Sequence, residues 1–237
     1  MIPRFALNTL PLATALLLAG LTACGPVAAN GDVVRLPAPT VDASPATAPH
    51  EETAVLAGGC FWGVEAVFEH VKGVQKVTAG YSGGSADTAH YYEVSDGNSG
   101  HAESVKVQFD PSQVSYGQLL QVFFSVALNP TELNRQGPDS GTQYRSVIFY
   151  GNDEQKKIAD SYIVQLSTAK AFSAPIVTQV VPLKAFYPAE DYHQDYFRLH
   201  PNNPYIVIND APKVTHLQKL FPALYRNDQS FVDVRLR

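Results

Sequence analysis

The chain has 237 residues, 45% of them apolar, with 17 Lys and Arg against 22 Asp and Glu for a net charge of -5. That length fits one domain with appendages rather than two full domains, and no run of basic residues is present that could neutralise a track of phosphates, which argues against a nucleic-acid partner. Seven histidines and two cysteines show no close ligand spacing, so no metal site is expected.

Residues 1–23 read as an export signal: Arg4 supplies the positive charge, then Leu10, Leu12, Ala15, Leu16, Leu17 and Leu18 form an apolar stretch followed by small residues. The run is short of the ~20 residues that a membrane-spanning helix needs. It ends Leu21-Thr22-Ala23-Cys24-Gly25, which resembles a bacterial lipoprotein cleavage box and implies lipidation of Cys24. The chain is therefore expected to be exported to the cell envelope as a membrane-anchored lipoprotein facing the periplasm; simple secretion or an uncleaved anchor are the alternatives. Residues 24–51, with Pro26, Pro37, Pro39, Pro45 and Pro49, read as a disordered tether, since they offer little apolar surface to offset the entropy of ordering. The remaining residues, 52–237, form the expected catalytic domain, with a monomer as the anticipated state.

Within that domain, Glu52 to Ala57 reads as a short strand that Gly58-Gly59 turns into a helix. Val64, Val67, Phe68 and Val71 then recur at i, i+3, i+4 and i+7, one face of that helix, and Gly73 ends it. Val74 to Tyr81 follows as a strand closed by Ser82-Gly83-Gly84, and Val105, Val107 and Phe109 alternate as a half-buried strand. Ser115 with Gln118 forms a capping box for a helix carrying Leu119, Leu120, Phe123 and Phe124. Tyr144 to Tyr150 reads as a strand, Asn152 with Gln155 opens a helix that turns Ile158, Tyr162 and Leu166 inward, and Ile176 to Val181 reads as another strand. Asp210 caps a last helix with Pro212 in its first turn and Val214, Leu217 and Phe221 on one side. Strands and helices interleave without repeats, which predicts an α+β fold with a mixed or antiparallel sheet covered by helices. Ser82 to Gly100 and Leu128 to Gln143 lack a period and are polar, as functional loops often are.

The domain holds a single cysteine, Cys60, because the other lies in the signal box. An exported domain with one thiol and no internal disulfide needs a chemical reason for that thiol. The strand-Gly-Gly-helix pattern puts Cys60 at a helix N-terminus, where unpaired N–H groups favour a thiolate and lower its pKa. A buried, inert cysteine is the bland reading for any lone Cys; the two glycines and the missing partner favour reactivity.

The run Gly58-Gly59-Cys60-Phe61-Trp62-Gly63 resembles the signature of the class A peptide methionine sulfoxide reductases. The resemblance extends from about Thr53 to Tyr225 through Gly80 to Gly84, Gly100 to Glu103, Asn134 to Asp139, Gly141 to Ser146 and Ala189 to Gln194. It implies a two-layer α/β sandwich with a ferredoxin-like core. It also implies thiol-dependent reduction of methionine-S-sulfoxide, free or in oxidised proteins and peptides, with no bound cofactor. Carried over residue by residue, Cys60 matches the nucleophile and Glu103 the acid that protonates the departing oxygen. Tyr91 and Tyr144 match hydroxyls on the sulfoxide oxygen, Phe61 and Trp62 the aromatic wall for the S-methyl group, and Asp139 a polar residue of the same pocket.

Those roles make chemical sense. Sulfoxide oxygen leaves poorly unless protonated, so a carboxylic acid whose pKa is raised among aromatics is useful, and phenolic donors stabilise the charge that develops. Taken singly, Glu103 would read as a solvated carboxylate, Phe61 and Trp62 as core, and the tyrosines as ordinary interface residues. His193, beside Asp191, reads as a member of a structural hydrogen-bond network. The sequence departs from many relatives in lacking cysteines from Leu199 to Arg237, so the resulting sulfenic acid is expected to be resolved by an external thiol reductant, either a thioredoxin-like protein or a small thiol. It departs again at Leu128-Asn129-Pro130, outside the catalytic set. A cysteine hydrolase using His101 or His193 as base, a thiol peroxidase and a non-enzymatic lipoprotein module are the competing readings.

Overall fold

A computed structural model describes Met1 and residues 34–227. The export signal, the Cys24 lipidation box and the tether up to residue 33 lie outside the described residues. Among the described residues, no helix is long and apolar enough to cross a membrane.

The chain runs β1 (Glu52–Gly58), α1 (Phe61–Glu69), β2 (Val74–Ser82), α2 (Tyr91–Ser95), β3 (Ala102–Phe109) and α3 (Tyr116–Val122), which continues as a π-turn at Phe123–Ala127. A two-strand hairpin follows, β4 (Arg135–Gln136) and β5 (Asp139–Ser140), then β6 (Ser146–Tyr150), α4 (Asp153–Thr168), β7 (Gln179–Pro182) and β8 (Tyr187–Pro188). α5 (Tyr196–Leu199), a π-turn at Ile206–Asp210 and α6 (Ala211–Leu220) complete it.

The main sheet has the order β7-β6-β1-β3-β2-β8. Its neighbours pair antiparallel except β6 with β7, so the sheet is mixed. Its four central strands, with α1 between β1 and β2 and α3 between β3 and β6, trace a ferredoxin-like β-α-β-β-α-β path. Side chains alternate across the sheet as the strand period requires. From β1, Ala54 and Leu56 join the large core beneath the helices, together with Val105, Val107 and Phe109 of β3 and Ile148 of β6. The opposite parity, Val55, Ala57, Val147 and Phe149, forms a smaller cluster against Val181, Leu183 and Phe186.

Helix entries follow the local signals. Ser115 and Gln118 form the reciprocal capping box of α3, and the Asn152 side chain accepts from the Gln155 N–H at the start of α4. Asp210 stands at the N-cap of α6 but makes no capping bond; its carboxylate holds Lys213 instead. Two strand boundaries differ from the sequence reading. Tyr144 lies in a 3₁₀ turn, its N–H donating to Gly141, so β6 begins at Ser146. β7 begins at Gln179 rather than Ile176, because the Val177 N–H is taken by the Pro130 carbonyl and is unavailable to the sheet.

The segment read as a disordered tether is, over its described part, docked from Arg35 to Asp42. Leu36 is buried in the core, its N–H bonded to Ser125 Oγ and its carbonyl to Gln121 Nε2. Tyr162 donates to the Pro37 carbonyl, and Gln165 bonds Ala38 and Thr40. Asp42 accepts from the Gly117 N–H and the Ser115 hydroxyl at the start of α3. The prolines keep this stretch extended, and side chains from the helices bond the backbone groups that it leaves unpaired.

Candidate active site

The site is assembled where β1 turns into α1. Gly58 pairs with Ser146 of β6, and Gly59 adopts a φ of 94°, which a residue with a Cβ rarely takes. A Cβ at Gly59 would also come within 2.5 Å of Gln136, so the hairpin β4–β5 packs directly on this turn. Cys60 is the N-cap of α1 and makes no side-chain capping bond.

The helix start does not leave the thiol open and ionised, as the sequence reading had it. Cys60 is only 9% exposed. Burial pushes its pKa well above the usual thiol value, the carboxyls of Glu103 and Asp210 push the same way, and the Trp62 N–H and Lys213 oppose them. At neutral pH this environment favours the protonated thiol.

Glu103 sits on β3 opposite Tyr81 of β2 and is 3% exposed. It shares the parity of Val105, Val107 and Phe109, so the strand turns a carboxyl onto the core face beside α1. Its Oε2 accepts the backbone N–H of Phe61 at 3.1 Å. Burial pushes the acid up to about 8; that hydrogen bond holds it down somewhat, and Asp139 raises it. Near neutral pH the group is mainly the carboxylic acid.

Tyr144 lies within electrostatic reach of Glu103, Asp139, Cys60 and Tyr91, which brings the five positions around one centre; burial and these charges raise its phenol pKa. Tyr91 opens α2, its N–H held by Glu190 and its ring 4.5 Å from that of His193. Glu190 also accepts the Tyr81 hydroxyl at 2.8 Å, and Gln194 bonds both backbone groups of Ala79. The Ala189 to Gln194 motif thus fastens α2 and β2 around the site.

A cleft of about 260 Å³ opens on Cys60, with Val126, Ala127, Leu128, Pro138, Asp139 and Tyr205 in its walls. Asp139 accepts a hydrogen bond from Tyr205. The two residues read as an aromatic wall take different places. Phe61 is 1% exposed and turned inward, 5.9 Å from the Tyr81 ring and 5.1 Å from that of His193, because as the first residue of α1 it faces the sheet. Trp62 stacks on Tyr196 at 3.7 Å and meets Tyr205 edge-on at 5.8 Å, so it backs the cleft through Tyr205.

Of the histidines offered as alternative bases, His101 is engaged elsewhere, whereas His193 lies beside the site with its Nε2 buried and without a hydrogen-bond partner among the described residues. His101 bonds the Gly84 N–H and the Ser85 carbonyl through its two ring nitrogens. His193 takes the Trp62 indole N–H on Nδ1, and burial lowers its pKa. Residues that the sequence reading did not single out for the site are Tyr205, Asn209 and Lys213, which line the cleft, and Gln136, whose side chain bonds both backbone groups of Asn129. The one sequence signal for Lys213 is its i, i+3 spacing from Asp210.

The comparisons with known proteins agree with this geometry. A family model described as peptide methionine sulfoxide reductase matches residues 52–224. The peptide methionine sulfoxide reductase MsrA 2 of Mesorhizobium japonicum is 65% identical over 178 residues, 75% of this chain and 91% of the relative. The MsrA 2 of Synechocystis is 52% identical over 188 residues, 78% of this chain and 88% of the relative. Among solved structures, methionine sulfoxide reductase A of Corynebacterium diphtheriae superposes with a TM-score of 0.57 at 31% identity, covering 76% of this chain and 93% of that one. Reduced Mxr1 of Saccharomyces cerevisiae gives the same TM-score and identity over 65% of this chain and 87% of that one. With the match spanning the sheet, the helices and the Cys60 turn, the chain belongs to the peptide methionine sulfoxide reductase family, in its A class.

Proposed function

We propose that this thiol-dependent reductase of methionine-S-sulfoxide works through Cys60, with Glu103 as its proton donor. The observation that carries the reading is the Phe61 N–H bond to Glu103, which holds a buried carboxylic acid beside the thiol at the start of α1. The Cys60 sulfur attacks the sulfoxide sulfur as Glu103 protonates the oxygen, and the thiol proton restores the acid. The products are methionine and a Cys60 sulfenic acid, so atoms and electrons balance. Tyr91 and Tyr144 donate hydrogen bonds to the oxygen as negative charge develops there. Trp62 backs the methyl end of the cleft, Phe61 supports it from the core, and Asp139 orients Tyr205.

The sulfenic acid is returned to the thiol by two equivalents of external thiol, from a thioredoxin-like protein or a small thiol, with release of water and a disulfide. Cys60 is the free cysteine among the described residues. The engagement of both His101 ring nitrogens argues against a hydrolase with His101 as its base. Cys60→Ser is expected to abolish reduction of an S-sulfoxide peptide by dithiothreitol with the circular dichroism spectrum unchanged. Turnover persisting in that variant would overturn the assignment.

Export and anchoring belong to the same proposal. The apolar stretch to Ala23 and the Leu21 to Gly25 box support a lipoprotein held on the periplasmic face through Cys24. Mass spectrometry of the mature N-terminus tests it: an unmodified N-terminus would remove the anchor.

A further inference from the structure

Among the described residues lining the Cys60 cleft, Lys213 is the basic one. It stands in the first turn of α6 with its Nζ 3.3 Å from Asp210 Oδ1. Asp210 is fully buried, and its Oδ2 has no hydrogen-bond partner. This turn presses on α1: a Cβ at Gly63 would lie 2.1 Å from Asp210 Oδ1 and 2.8 Å from Lys213 Nζ. Gly63 is three residues past Cys60, so the ammonium group sits over the first turn of the helix that Cys60 caps.

That is an unfavourable place for a cation. The N-termini of α1 and α6 both carry partial positive charge, and both oppose an ammonium group there. Asp210 offsets one part of this. The other carboxylates of the cleft are engaged, Glu132 by the Gly137 N–H and Asp139 by the Tyr205 hydroxyl. Lys213 and the Cys60 sulfur line the same cleft.

We infer that Lys213, fixed by Asp210, is a positioning cation for the Cys60 sulfur, stabilising it as an anion when the oxidised enzyme is returned to the thiol. The inference rests on the reductase reading given above. A first external thiol attacks the sulfenic acid, forming a mixed disulfide and releasing water. A second attacks the external sulfur of that disulfide, and Cys60 leaves as the thiolate with the bonding electron pair. Leaving is faster when the departing thiol has a lower pKa, which a neighbouring ammonium group provides. The charged and titratable groups around the sulfur are Glu103 from β3, Glu132 ahead of β4, Asp139 from β5, Tyr144 ahead of β6, and Tyr205, Asp210 and Lys213 around the start of α6. Of these, Lys213 is the one that favours the anion.

The test is the pH profile of Cys60 alkylation by iodoacetamide in the full chain, read by peptide mass spectrometry so that Cys60 is separated from Cys24. Lys213→Met is expected to move the profile to higher pH and slow alkylation at neutral pH about tenfold, the equivalent of one pKa unit. Lys213→Arg is expected to restore the wild-type profile. Lys213→Gln, with a polar side chain of similar reach, answers the same question should the methionine variant not fold. Profiles of folded Lys213→Met or Lys213→Gln that superimpose on wild type would overturn the inference. A wild type that reduces no sulfoxide, with the Lys213 dependence of alkylation intact, would refute the reductase reading and the regeneration step with it, and leave only the effect of Lys213 on the Cys60 thiol.

Discussion

Glu103 is a buried carboxyl with a single hydrogen bond among the described residues, from the Phe61 N–H, and burial outweighs that bond in pushing its pKa up to about 8. The proposed acid is therefore present below that pH and lost above it. Glu103→Gln is expected to slow single-turnover reduction on the order of 10²-fold at neutral pH, within the range for a positioned general acid. Because only wild type loses an acid, its advantage over Glu103→Gln should be constant below pH about 8 and shrink above it. A ratio independent of pH from about 6 to 10 would remove Glu103 from the proton path. The sequence makes Glu103 readable in one respect: it continues the buried parity of Val105, Val107 and Phe109. It does not make the Cys60 pKa readable. A helix N-terminus favours the thiolate, but burial beneath the β4–β5 hairpin and α6 outweighs it, and both covers come from distant sequence.

At the scale of elements, α1 shows where a periodic pattern stops informing. The stripe Val64, Val67, Phe68 and Val71 is buried as read, yet Glu65, beside the stripe, is also only 1% exposed. The chain between His193 and Leu199 covers it, setting Glu65 and Glu69 of α1 against Asp195, which has a left-handed φ of 53° and pairs with Arg198 at 3.1 Å. Burial, then the hydrogen bond to Asp195, pushes Glu69 up to about 8. A carboxyl raised above its unfolded value of ~4.3 binds its proton more tightly in the folded state. The Glu69 contribution to folding stability is then full below pH ~4.3 and is lost as pH rises toward 8. Glu69→Gln removes this titration and is expected to stabilise the protein at pH 9 by up to about 5 kcal/mol relative to its effect at pH 4. Urea unfolding at the two pH values measures it, and equal effects would show that the Glu69 pKa is not raised on folding.

Over the whole molecule, the segment before β1 belongs to the domain that it precedes. It crosses α3 and α4, Arg35 lies over the Phe221 ring at 5.0 Å, and Leu36 fills a place in the core. Asp42→Ala removes two hydrogen bonds at the start of α3 and is expected to cost about 1 kcal/mol in urea unfolding, as loss of a helix cap does. An unchanged midpoint would mean that this contact is not maintained in solution. Sequence alone determined the order of the longer strands and helices, though not α2, β4, β5, β8 or α5, together with the capping box at Ser115, the N-cap at Asn152 and the lone thiol at a strand-to-helix turn, because each depends on neighbours within a few residues. Tertiary structure decided which carboxyls are acids at neutral pH, that Phe61 faces inward while Tyr205 lines the cleft, that a proline-rich stretch is docked, and that Lys213 stands over the Cys60 turn. Those outcomes depend on desolvation and charge proximity, which are fixed by what distant segments bring to a point in space.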